Sequence, residues 1–153
     1  MKIKEFEPTD EVFVWEDPEN FGDVYAFNVT AMQEFINTYP KSPKFVTVNA
    51  NIDNDFIEYV KVNRGIEQEC LDKMTDERIE DPMISVLLGD RSVLLVDGHH
   101  RLISRANRNM TTYRTHVFKL GDWDRFMIDP YDLADNPKYE SVVSYLEEFD
   151  SYE

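Results

Sequence analysis

Two almost unbroken apolar runs, Met83-Ile84-Ser85-Val86-Leu87-Leu88 and Ser92-Val93-Leu94-Leu95-Val96, stand only three residues apart in this chain. Runs this short and this apolar read as strands buried on both faces. Gly89-Asp90-Arg91 between them reads as the turn of a hairpin. Doubly buried strands need covering layers, which points to a sheet flanked by helices. The second run leads directly into Asp97-Gly98-His99-His100-Arg101 and then a helix-like stretch ending near Asn109. Such a junction holds its turn at a fixed place, and glycine lets the backbone bend and approach a ligand closely. The helix start presents free N–H groups and the positive end of its dipole. Two imidazoles and a guanidinium add donors suited to a phosphate or another anion.

On the helix after the junction, Leu102, Ile103, Ala106 and Met110 share one face and should pack on the sheet, while Arg101, Arg105 and Arg108 form a separate stripe. Residues 112–118, rich in Thr, Val and aromatics, read as a strand. Upstream, residues 12–15 read as a strand and 17–20 as a turn. A helix runs from Asn28 or Thr30, either of which can cap it, to Tyr39. Met32, Phe35, Ile36 and Tyr39 recur along it at helical spacing, and Pro40 ends it. Residues 45–48 read as a strand, 49–55 as a polar loop, and 56–62, in loose alternation, as another strand. Residues 65–74 read as a helix with Ile66, Cys70 and Met74 on one face, followed by an acidic loop, 75–81, that ends at Pro82. A short amphipathic stretch at 123–128 breaks at Asp129-Pro130. A last helix, 139–149, turns Val142, Val143, Leu146 and Phe149 to its apolar side. The expectation is a single α/β (α+β) domain with a small mixed sheet and flanking helices. An extra N-terminal segment spans 1–60, the core 61–128, and an acidic helix 129–153.

At 153 residues with 42 % hydrophobic content, the chain can bury a substantial core despite its net charge of −15. A single cysteine, Cys70, excludes an internal disulfide and a cysteine-rich zinc site, which suits a reducing, cytoplasmic setting. The first residues lack the apolar core of a signal peptide, and no apolar run approaches a membrane span. The negative charge argues against a nucleic-acid binder, since phosphate-backbone affinity comes from Lys and Arg. Its distribution is uneven. Residues 91–119 hold Arg91, Arg101, Arg105, Arg108, Arg114 and Lys119 against Asp97 alone, a net +5, so the rest of the chain carries −20. A basic island in an acidic shell suits a small anion in a pocket. Equally, the arginines can pair with surrounding carboxylates and hold the fold.

Arg64, the helix after it, Asp81-Pro82-Met83-Ile84, Leu95-Val96-Asp97-Gly98-His99-His100-Arg101 and the strand at 113–118 follow one another in an order that resembles the ParB/sulfiredoxin superfamily. The resemblance covers residues 63 to about 127. It implies a nucleoside triphosphate, ATP or CTP with Mg²⁺, whose phosphates lie on the helix that opens at Gly98. Sulfiredoxins carry a catalytic cysteine one position after the motif glycine, where this chain has His99, so sulfinic-acid repair is not implied. Partition proteins of the family carry Gly-Glu-Arg-Arg and continue into a helix-turn-helix DNA reader, which this acidic chain does not show. Free-serine kinases carry Asp-Gly-His-His-Arg as it stands here, as do stand-alone ParB-like proteins of phages and plasmids. Some relatives are described as nucleases.

On a triphosphate so placed, the Gly98 and His99 amides would donate to a phosphate oxygen, Arg101 would hold two oxygens in a fork, and Arg64 would approach from the preceding segment. His100 would donate to the transferring phosphoryl group while His99 supports the turn. Asp97 would hold a metal-bound water or take the proton of a small hydroxyl-bearing acceptor, with Glu67 and Glu69 as alternative bases. Each residue also has a plainer reading. Asp97 can cap the helix, and His99 can lie on the surface. His116 reads as structural, and Trp15 and Trp123 as core. A zinc site from His99, His100 and Asp97 is disfavoured because consecutive helical side chains diverge. A non-enzymatic alternative is an acidic regulator or decoy that occupies the basic groove of a DNA-binding partner.

Overall fold

The structure, a computed structural model, describes residues 2–17, 23–89 and 92–150. The turns expected at 17–20 and 89–91 lie wholly or partly outside the described residues, as does the side chain of Phe149. The fold is α/β, with a three-stranded and a four-stranded sheet and five α-helices among the described residues. The chain forms two units, one built from Met1–Ser42 and Asp124–Glu153, the other from Pro43–Trp123. Among the described residues no helix is long and apolar enough to cross a membrane.

In the first unit β1 (Val12–Glu16) pairs antiparallel with β2 (Val24–Asn28), and β7 (Met127–Ile128) lines the other edge of β2. Asn28 ends β2 and caps α1 (Val29–Thr38), its side chain accepting the Ala31 N–H at 3.1 Å. Thr30 therefore lies inside the helix, and Tyr39 follows as the C-terminal cap ahead of Pro40. The helix buries Val29, Ala31, Met32 and Phe35, with Phe35 edge-on to Phe126 at 5.4 Å. A second cluster gathers Val12, Ala26, Leu133 and Tyr139, whose hydroxyl donates to the Val12 carbonyl at 3.2 Å. The final helix, α5 (Glu140–Asp150), buries Val143 and Leu146.

The second unit holds β3 (Phe45–Asn51), α2 (Asn54–Asn63), α3 (Gln68–Asp72), β4 (Met83–Leu87), β5 (Val93–Asp97), α4 (His99–Asn107) and β6 (Thr112–Phe118). Its sheet runs β3-β6-β4-β5, with β4 parallel to β6 and the other pairs antiparallel, so it is mixed. The hairpin β4–β5 and the helix after Asp97-Gly98 stand where the sequence puts them. Three upstream assignments change. Residues 56–62 form a helix, not a strand: Asp53 caps α2 by accepting the Asp55 N–H at 2.9 Å, and Ile57 and Val60, one turn apart, are its buried positions. The strand β3 runs on to Asn51, which shortens the expected polar loop. The helix expected at 65–74 shrinks to the five residues of α3, because Gly65 bends the chain at φ 60°.

The core of this unit joins Ile57 and Val60 of α2, Met83 of β4, Leu95 of β5 and Leu102 and Ile103 of α4. Both helices therefore cover the sheet face that carries Met83 and Leu95. Burying each such side chain contributes about 1.5–3 kcal/mol, which anchors α4 against the sheet close to its first turn.

Candidate anion site at the start of the fourth helix

The junction begins with an irregularity in the hairpin. Leu95 pairs with Ser85, but Asp97 pairs with Ile84, so β5 carries one extra residue, Val96, at its end. A bulge of this kind bends the strand and re-aims the residue that follows. Gly98 then occupies the N-cap position of α4 at φ 112° and ψ 17°. A Cβ there would lie 2.6 Å from Cγ of Met83 and 3.0 Å from its Cβ. Only glycine suits both the left-handed backbone and this close approach. The helix proper starts with Leu102 N–H donating to the Gly98 carbonyl at 2.8 Å, which leaves the first-turn amides without intrahelical acceptors.

The arginine stripe divides into two kinds of residue. Arg105 is buried with Nε 2.7 Å from the Thr112 carbonyl and Nη1 3.0 Å from that of Ile79. Arg108 bonds the Asp76 carboxylate and, at 3.1 Å, the Met74 carbonyl. Both hold loops to α4, as the structural reading of the basic island expects. Arg101 differs. It is 8 % exposed, yet among the described residues Nη2 makes two long contacts, 3.4 Å to the Pro82 carbonyl and 3.4 Å to Asp97 Oδ2, and its buried Nε finds no hydrogen-bond partner there. A buried guanidinium is costly unless its donors are satisfied. Arg101 retains donors for an additional acceptor beside Gly98.

The histidines face different surroundings. Burial lowers the His99 pKa to about 4; the Arg64 charge and, less strongly, His100 push the same way, against Asp97 and a bond to the Leu95 backbone. The ring is therefore neutral at neutral pH. His100 is half-buried, and its Nε2 lies 3.1 Å from the backbone N–H of Glu67, which donates to it. Arg64, at the C-terminal cap of α2, stacks its guanidinium 5.3 Å from the centre of the Tyr59 ring. Burial draws the Arg64 pKa below the usual guanidinium value, although an arginine remains a cation throughout the working range.

The structure thus brings Arg64, the Glu67 backbone, Asp97, Gly98, His99, His100 and Arg101 into one neighbourhood. Glu67 has an exposed side chain, whose Oε2 lies 3.5 Å from the Cys70 thiol. Glu69 pairs with Lys73 at 2.6 Å on the exposed side of α3. His116 sits on β6, with Nδ1 2.6 Å from the Thr47 hydroxyl and its ring edge-on to Phe45, as a structural histidine does. Among the described residues no three His, Cys, Asp or Glu side chains gather as a metal-binding group. Sequence reasoning missed Met83 against Gly98, the Pro82 carbonyl under Arg101 and Tyr59 under Arg64. Once 56–62 is taken for a strand, nothing in the sequence places Tyr59 beside Arg64. Comparison of this chain with family models, curated proteins and solved structures gave no match.

Proposed function

We propose that the chain binds a nucleoside triphosphate, ATP or CTP, with its phosphates at the start of α4. The observation that carries this reading is Arg101, a buried guanidinium whose Nε has no partner among the described residues and whose two contacts are long, next to a glycine that admits no Cβ. An anion there would meet first-turn amides, the positive end of the helix dipole and the remaining Arg101 donors together. Arg64 supplies a second cation on the facing segment. The resemblance of Asp97-Gly98-His99-His100-Arg101 to the motif of free-serine kinases supports a triphosphate over a simple anion. Mg²⁺ accompanies such phosphates and needs only one or two protein carboxylates, which Asp97 and Glu67 can provide.

Bound there, the nucleotide would supply a phosphoryl group for hydrolysis or for transfer to a small hydroxyl-bearing acceptor, with serine the first to try. Positioning and charge stabilisation dominate such chemistry. Arg101 and Arg64 orient and neutralise the phosphates, and Asp97 or Glu67 takes the acceptor proton.

Calorimetric titration with ATP and with CTP, each with Mg²⁺, tests the reading on wild type, Arg101→Ala and Arg114→Ala. Arg114 is exposed on β6 and matches the charge change. Loss of a charge-assisted bond weakens binding by about 1.5–3 kcal/mol, so Arg101→Ala should bind at least about tenfold more weakly while Arg114→Ala binds as wild type. No binding of either nucleotide to the wild type, or equal loss in both variants, defeats the assignment.

A further inference from the structure

The hydrogen bond from the Glu67 N–H to His100 Nε2 joins segments 33 residues apart in sequence. On one side is the first turn of α4. On the other is the bend between α2 and α3, where Gly65 has φ 60° and open space around its missing Cβ. That bend carries Arg64 at one end and Glu67 at the other. An imidazole nitrogen that accepts an N–H must hold a lone pair, so His100 is neutral in this arrangement and its proton sits on Nδ1. An imidazolium donates from both nitrogens and accepts at neither.

We propose that His100 is a positioning residue: it fastens the Arg64–Gly65–Ile66–Glu67 bend to the start of α4 and so holds Arg64 at the phosphate site. Its Nε2 is committed to Glu67, which leaves Nδ1–H as its only donor. The ligand arm of the proposal rests on the nucleotide reading above; the fastening arm does not.

Two substitutions separate fastening from mere bulk. A glutamine carboxamide places an oxygen acceptor near the position of Nε2 and does not titrate, whereas leucine fills space and accepts nothing. On the full chain, amide hydrogen exchange at Glu67 should accelerate about tenfold or more in His100→Leu and stay near wild type in His100→Gln. Amides in β4 serve as the internal reference for an intact fold. Nucleotide affinity should fall in His100→Leu and recover toward the wild-type value in His100→Gln, a rescue that a role in filling space would not give. Unchanged exchange at Glu67 in His100→Leu overturns the fastening. Equal nucleotide affinity in wild type and His100→Leu overturns the positioning role. Should the wild type bind neither ATP nor CTP, the nucleotide reading fails by itself, and the exchange result still decides whether His100 is the fastener.

Discussion

At Gly98 the backbone takes φ 112°, and the Cγ and Cβ of Met83 lie where an alanine methyl would stand. Cγ can swing away by a rotamer change, but the Met83 Cβ at 3.0 Å is fixed by β4. Gly98→Ala should therefore cost the left-handed strain of about 1–2 kcal/mol and overpacking of about 1–3 kcal/mol, a total of roughly 2–5 kcal/mol in urea unfolding. A loss below about 1 kcal/mol would show that the junction relaxes around the new methyl. This glycine is thus required by packing before any ligand is considered, and its presence in a motif does not by itself argue function. Arg101 supplies that argument. In sequence Arg101, Arg105 and Arg108 are a single helical stripe. What separates them is distance: the Ile79, Thr112 and Met74 carbonyls reach Arg105 and Arg108 at 2.7–3.1 Å, whereas the Pro82 carbonyl stays 3.4 Å from Arg101. That distinction is tertiary, and no local pattern carries it.

The elements that carry the site differ in how openly the sequence announces them. β4, β5 and α4 are legible because three local signals agree: apolar runs, a turn of three residues and a glycine before a 3.6-residue period. Residues 54–63 mislead because Phe56, Ile57, Tyr59, Val60 and Val62 are strand-favouring types, yet they form α2. Tertiary packing of Ile57 and Val60 against Met83 and Leu102 overrides that preference, and the helix signal is the aspartate at position 53. Such a helix should lean heavily on its cap. Asp53→Ala removes the acceptor for the Asp55 N–H and should destabilise the protein by about 1 kcal/mol, within a range of about 0.5–2. Exchange should accelerate in the first turn of α2 more than at Val60. Uniform acceleration along the helix would mean that the cap holds the whole element rather than its end. The site feels this helix at its far end, where Arg64 closes α2 and faces the start of α4.

Across the whole molecule, two partly buried titrating groups lose their contributions to the two units at different pH. In the second unit His99 titrates at about 4 in the folded chain and at 6.5 when solvated, because burial and the Arg64 charge oppose its protonation. Between those values the unfolded chain takes up the extra proton, so stability rises with pH across this window. The contribution is complete above about pH 6.5 and gone below about pH 4, and its full size is on the order of 3 kcal/mol. In the first unit Asp10 is held charged rather than neutral. Burial alone would raise its pKa, but bonds from Lys4 at 2.8 Å, the Glu7 N–H at 2.9 Å and Asn28 at 3.1 Å outweigh that and hold it below 3.8. Its stabilisation is present above 3.8 and is lost only as pH falls through the lower folded value. Acid should therefore weaken Pro43–Trp123 first, between about pH 6.5 and pH 4, and the Asp10 contribution should go last. Urea unfolding across this range, repeated on His99→Gln, measures the first step: the variant should lose most of the pH dependence between 6.5 and 4. An unchanged slope in His99→Gln would mean that other groups titrate in that window and that His99 is not held neutral by its surroundings. The same neutrality bears on the site, since an imidazole kept uncharged by burial and the Arg64 charge adds no further cation to the cluster.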